Sequence, residues 1–152
     1  MNFKAKLTEF AIKHDLIPTK VKWEKCARGY GSLFSRFFNM VGEDERKNLT
    51  KLMYERGVES ADEVVEKLKI ERDLHGCAIA LIGINQVFGI KSHIARENDN
   101  EVVIHATKCL WKDIEGWTPK VCSSIAAYEI GLVEGIDRDI KHFFTQKEEQ
   151  RR

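Results

Sequence analysis

Residues 71–109 read ERDLHGCAIALIGINQVFGIKSHIARENDNEVVIHATKC, and the period of their apolar residues changes halfway along. Over 71–89, Leu74, Ala78, Leu81 and Val87 interleave with Cys77, Ala80, Ile84 and Phe88. Most of the circumference of such a helix is apolar, which marks a buried, central core helix. Gly89 closes it. From Ile90 the spacing drops to two: Ile90, Ser92, Ile94, then Val102, Ile104, Ala106. Asn98-Asp99-Asn100 between these runs are turn residues tolerant of positive φ. The stretch therefore predicts a β-hairpin over about 89–109. With a loop of those three residues, His93 falls directly opposite His105; a slip of one residue would reverse the faces.

Downstream, Lys108–Gly135 reads KCLWKDIEGWTPKVCSSIAAYEIGLVEG. It leaves the strand at Cys109, passes two tryptophans and enters a helix at Pro119. Proline costs nothing in a first turn, where its missing donor would be unpaired. Thr118 is the expected N-cap, and the helix is expected to run to about Phe144.

Upstream the pattern is helical. Phe3, Leu7, Phe10 and Ala11 predict a helix over 2–14, ended by Leu16-Ile17-Pro18. A second starts near Thr19, with Gly29-Tyr30-Gly31 as a bend or interruption, and resumes with Leu33, Phe34, Phe37 and Val41 on one face. Gly42 is expected to stop it in a left-handed conformation. A third helix follows, acidic at its start as the helix dipole favours. Ser60-Ala61-Asp62-Glu63 reads as a capping box opening a fourth. The order of elements predicts an α+β fold: one mostly helical domain with a small antiparallel sheet packed on helices. Residues 1–70 form its helical part, 71–145 the core helix, hairpin and final helix, and 146–152 a charged tail.

The 152 residues suit one domain. A formal charge of +1, with Lys and Arg mixed among Glu and Asp throughout, argues against nucleic acid as a partner. No apolar run approaches the roughly 20 residues that span a bilayer. The start is not a signal peptide, so a cytoplasmic location is expected, where four cysteines would be free, ligating or catalytic. Two strands alone are marginal, which favours a homodimer that completes the sheet or core.

Cys109 and Cys122 are the first candidates for chemistry. A thiol near a helix N-terminus has its thiolate stabilised, which makes it a better nucleophile or ligand. Their spacing is that of neither a zinc knuckle nor a C-x-x-C pair, and two buried cysteines acting as small hydrophobes would look the same. His75 is the second, with Glu71 one turn earlier to orient it. Cys77 sits roughly 200° round the same helix, so a cysteine partner for His75 would be Cys109 or Cys122. His93, His105 and Cys109 on one sheet face would suit zinc or iron, or are a solvated outer face. Glu134 and Asp137 are general acid or base candidates if they face the cysteines. Gly131 and Gly135 would let a helix or a ligand approach closely. Trp111, Trp117 and Tyr128 line an apolar ligand pocket or belong to the core.

GEDERKNLTKLMYERGVESADEVVEKL, the Gly-Cys-Ala helix ending in FGI, the strand running into Lys-Cys-x-Trp, Pro-x-x-Cys and GLVEGI together resemble the family of L-2-amino-thiazoline-4-carboxylic acid hydrolases over roughly residues 26 to 144. A more distant likeness is to 4-vinyl reductase domains, which are small-ligand-binding modules. The resemblance implies an α+β, often dimeric protein, with Cys109 matching the family's strand-end cysteine and Cys122 its helix cysteine. Members continue past the last helix into a short strand with another cysteine, where this chain reads QKEEQRR. The expectation is a hydrolase-like protein opening a cyclic amidine-type C–N bond in a small sulfur- and nitrogen-containing acid. Cys109 or Cys122 would be nucleophile or zinc or iron ligand, and His75 the base or a further ligand. The alternative is a non-catalytic small-molecule or metal-binding sensor or carrier.

Overall fold

The computed structural model describes residues 3–14 and 16–144; the charged tail expected over 146–152 lies outside them. Five helices and one hairpin follow in the order α1 (Phe3–Lys13), α2 (Thr19–Met40), α3 (Glu43–Leu68), α4 (Leu74–Val87), β1 (Lys91–Asn98), β2 (Glu101–Lys108) and α5 (Pro119–Ile136). This is the mostly helical α+β domain that the pattern predicts.

The fold is organised around the antiparallel-sheet hairpin on one side and the α3–α5 pair on the other. Ala61 of α3, Cys77, Ala80 and Leu81 of α4, and Leu132, Val133 and Ile136 of α5 form one core, onto which Ile104 of β2 packs. Phe34 and Phe38 of α2 and Val121 of α5 form a second, closed by Leu49, Met53, Trp117 and Ile125. Removing such side chains from water is the main stabilising term, at about 25 cal/mol per Å² of apolar surface.

His93 does stand opposite His105, but by a different route from the three-residue loop. The turn is two residues, with Asn98 paired to Glu101. Asn98 Oδ1 accepts the backbone N–H groups of Asn100 at 2.9 Å and Glu101 at 3.0 Å. That turn alone would put His93 one residue out of step. A bulge at Ala95, between the Arg96–Val103 and Ile94–Ile104 pairs, restores the register.

Several boundaries differ from expectation. α2 is continuous through Gly29-Tyr30-Gly31. Gly31 is needed for space rather than for a bend, since a β-carbon there would stand 2.5 Å from Trp111 Cδ1. The face of α2 that enters the core is Ala27, Gly31, Phe34, Ser35 and Phe38, while Leu33 and Phe37 face outward. Gly42 is not a left-handed stop; its φ of −74° and ψ of 177° make it the extended N-cap of α3. Ser60 opens no new helix: α3 runs straight through it, and its buried hydroxyl donates to the Arg56 carbonyl at 2.7 Å, one turn back. α4 begins at Leu74 rather than Glu71 because Asp73 caps it, accepting Gly76 N–H at 2.7 Å. Gly89 ends that helix with φ +72°, as its position suggests.

Thr118 and Pro119 start α5 as predicted, with Thr118 Oγ1 accepting Val121 N–H at 3.3 Å. The helix stops at Ile136, well short of Phe144. Asp137 turns extended and its carboxylate accepts Asp139 N–H at 2.9 Å, an Asx turn that competes with helix continuation. Among the described residues no helix is long and apolar enough to cross a membrane.

Candidate functional site

The residues singled out in the sequence fall in separate places. His75 lies in the first turn of α4, and its Nδ1 lies 2.7 Å from Glu97 Oε1 near the tip of the hairpin. Glu71, outside the helix, is not its partner. Cys109 lies just past the other end of β2. Val102 pairs with Glu97 at the tip, and the chain from Val102 to Cys109 covers roughly 20 Å at strand rise. His75 and the cysteines therefore do not converge, and the three do not fit as ligands of one zinc or iron ion. Among the described residues, no group of three or more His, Cys, Asp or Glu side chains comes together in metal-binding fashion.

Cys109 and Cys122 do lie close enough for their charges to interact. Cys122 sits in the first turn of α5, yet its pKa moves up, against the helix-dipole expectation. Desolvation is the largest cause, followed by Cys109 and Glu129, and a hydrogen bond from Trp117 offsets part of it. Solvent reaches the side chain, but protein crowds the sulfur enough to disfavour a thiolate. Cys109 is half-buried, and its Sγ accepts Trp111 N–H at 3.4 Å.

Of the two readings of Trp111, Trp117 and Tyr128, pocket lining or core, their packing is that of core residues. Trp111 is buried, donates Nε1–H to the Ala27 carbonyl at 2.9 Å, and packs against Tyr30, Phe88 and Trp117. Trp117 packs on the Phe34–Phe38–Val121 core, and Tyr128 on the Leu132 core. His93 and His105 meet edge-on at 5.5 Å between ring centroids on the exposed sheet face.

Open space with chemistry in it lies instead along the α3–α5 pair. The two helices touch backbone to backbone. A β-carbon at Gly57 would stand 2.7 Å from Leu132 N and overlap the Tyr128 carbonyl; one at Gly131 would overlap the Tyr54 carbonyl; one at Gly135 would stand 2.7 Å from Ala61 Cβ. Of the two readings of Gly131 and Gly135, approach of a helix is the one observed. This contact carries Tyr54 onto Glu134, one turn beyond Gly131. Tyr54 O–H donates to Glu134 Oε2 at 2.6 Å, and Lys141 Nζ donates to Oε1 at 3.0 Å.

These three side chains, with Glu55, Val58, Glu59 and Arg138, line a cleft of about 570 Å³. Tyr54 also borders a second cleft of about 760 Å³ that continues along the helix pair. That end is lined by Arg46, Lys47, Lys51 and Lys120 against Glu43, with Lys47 paired to Asp44 at 3.7 Å and Lys51 to Glu55 at 3.5 Å. Ser123 and Ser124 lie on its α5 side, and the Ser124 hydroxyl is 2.7 Å from Thr50 Oγ1. Both clefts lie along the α3–α5 pair and are bordered by Tyr54, one with a cationic lining and the other with a hydrogen-bonded carboxylate. The hydrogen bonds from Tyr54 and then Lys141 hold the Glu134 pKa below its ordinary range, so it is a carboxylate at neutral pH. The same bond, made to a negative acceptor, raises the Tyr54 pKa.

Glu134 was legible as a candidate acid, but facing Tyr54 rather than the cysteines. Tyr54 was missed. Its signal is indirect: Gly57 one turn later on α3 answers Gly131 and Gly135 on α5, and the crossing they allow decides which residues meet. His142 and Glu129 were also missed. After the Asx turn at Asp137 the chain folds back, and His142 Nε2, buried and without a hydrogen bond, lies 3.4 Å from Glu129 Oε2.

No family model, curated protein or solved structure matches the chain.

Proposed function

We propose that the chain binds a small anionic molecule in the groove between α3 and α5, of the sulfur- and nitrogen-containing carboxylate type to which the sequence resemblance points. The observation that carries this reading is the sharing of Tyr54 between the two clefts. It joins a cationic end, suited to a carboxylate, to an end where Glu134 and Tyr54 suit a ring N–H and a ring nitrogen. Lys51 and Lys120 attract the acid.

Hydrolysis is the second reading, favoured by the Tyr54–Glu134–Lys141 row. A water held on Glu134 would give a proton to that carboxylate as its oxygen adds to the C=N carbon of a thiazoline, with Tyr54 O–H giving its proton to the ring nitrogen; collapse of the adduct then breaks the ring C–N bond, the leaving nitrogen taking the proton from Glu134 and the new hydroxyl returning one to Tyr54. Glu134, its pKa lowered by the hydrogen bonds from Tyr54 and Lys141, is a weaker base for this step than an ordinary glutamate, so the binding reading stands first.

Calorimetric titration with L-2-amino-thiazoline-4-carboxylate tests both. Binding by the wild type that is lost in Lys51→Glu/Lys120→Glu supports the groove; equal binding by that variant refutes it. Turnover that Glu134→Gln abolishes while binding persists supports hydrolysis, and absence of turnover by the wild type leaves binding alone.

A further inference from the structure

α2 carries two apolar stripes, and the fold uses one. Ala27, Gly31, Phe34 and Phe38 enter the core. Trp23, Cys26, Tyr30, Leu33, Phe37 and Met40 recur at alternating spacings of three and four residues along another face, the a/d seam of a two-helix coiled coil. Trp23 and Tyr30 lean inward on Val87 and Phe88. The rest of the stripe stands in solvent, with Leu33 70% exposed, Phe37 52% and Met40 85%, and Val87 beside it 55%. A contiguous apolar patch of this kind marks an interaction site.

We infer that this stripe pairs with the same stripe of a second copy, the two α2 helices running antiparallel. The stripe is its own complement in that direction. With a twofold axis between Tyr30 and Leu33, the pairs are Trp23 with the second copy's Met40, Cys26 with its Phe37, and Tyr30 with its Leu33; all six positions are matched. Gly29 lies beside the crossing, and a β-carbon there would meet nothing within 4 Å, so the helices can close together. Charge selects the same direction. The first half of α2 carries Lys20, Lys22, Lys25 and Arg28 against Glu24 alone. The far end leads into Glu43, Asp44 and Glu45, the exposed acidic first turn of α3. Antiparallel pairing brings Lys20 of each copy to Glu43 of the other, whereas parallel pairing stacks lysine on lysine. Of the α3–α5 groove residues named above, only Glu43 enters this pairing.

Sedimentation velocity over a concentration series tests the inference. The wild type is expected to associate reversibly to a dimer. Leu33→Glu and Met40→Glu, at positions too exposed to disturb the fold, should each raise the dissociation constant by about tenfold or more. Lys20→Glu alone should weaken the dimer, and Lys20→Glu with Glu43→Lys should restore it. A wild type that stays monomeric at all concentrations overturns the proposal. So does a dimer indifferent to Leu33→Glu and Met40→Glu, as does a charge swap that fails to rescue.

Discussion

Gly131 of α5 rests directly on the backbone of Tyr54 in α3, so close that a β-carbon would overlap the Tyr54 carbonyl oxygen. The fold and the candidate site meet in this contact. The glycine lets the helices touch, and the touching sets the Tyr54 hydroxyl 2.6 Å from Glu134 one turn further on. Gly131→Ala gains helix propensity of about 1 kcal/mol, but the obstructing atom is backbone and cannot swing aside. Net destabilisation of about 2 kcal/mol or more is expected in urea titration, with loss of the Tyr54–Glu134 hydrogen bond. An alanine variant as stable as the wild type would contradict this account of the crossing.

Tyr54→Phe removes the donor and keeps the ring. The hydrogen bond is partly solvated, so about 1 kcal/mol or less of stability should go. The clearer readout is pH. Because the folded-state pKa of Glu134 is lowered, its contribution is present above the ordinary glutamate value of about 4.3 and is lost as pH falls through the lowered value. Tyr54→Phe should move the Glu134 titration, followed by carboxyl NMR, upward towards the ordinary range. An unchanged titration would show that the bond does not hold the carboxylate.

Cys77 is the buried thiol. It lies in the α3–α4–α5 core, 4.0 Å from the Val133 carbonyl, with its pKa pushed from 9.0 to about 11, chiefly by desolvation and secondarily by Asp137 and Asp73. A raised folded-state pKa stabilises the protein below the unfolded value, and that contribution is lost as pH climbs from about 9.0 through 11. Folding stability should therefore decline over that alkaline window more steeply than in Cys77→Ala. Cys77 should also escape thiol reagents until the chain unfolds, while the exposed Cys26 and Cys122 are modified in the native state. Native-state labelling of Cys77 would contradict its placement.

Trp111 closes the space between α2 and the segment after β2, with Nε1–H on the Ala27 carbonyl. Trp111→Phe removes that side-chain hydrogen bond and opens space over Gly31. A cost of about 2 kcal/mol is expected from thermal or urea unfolding, with groove binding unchanged. If binding fails while stability holds, Trp111 lines the ligand site after all.

Much of this was legible because apolar periodicity reports burial. The change from helical to alternating spacing at Ile90 located the hairpin, and Thr118-Pro119 located the start of α5. His93 was matched to His105, although a tight turn and a bulge at Ala95 cancel each other to produce that register, and neither is visible in composition. Local rules failed where tertiary contact overrode them. Ser60 followed by Glu63 has the chemistry of a cap, but a serine that bonds one turn back sits comfortably inside a helix packed on α5. Gly31 has the look of a breaker, yet it makes room for Trp111. The site was hardest. His75 and Cys109 are compatible as partners by residue type, but the length of a β-strand separates them. Tyr54 and Glu134 lie in helices far apart in the chain, and their meeting depends on three glycines whose joint meaning emerges only when the helices cross.

The most direct test of the groove is an amide NMR titration of the isotopically labelled protein with L-2-amino-thiazoline-4-carboxylate. The account predicts saturable shifts clustered at Lys51, Tyr54, Lys120, Ser123 and Glu134, and their disappearance in Lys51→Glu/Lys120→Glu. Shifts centred on Cys109 and Cys122, or none at all, would contradict it.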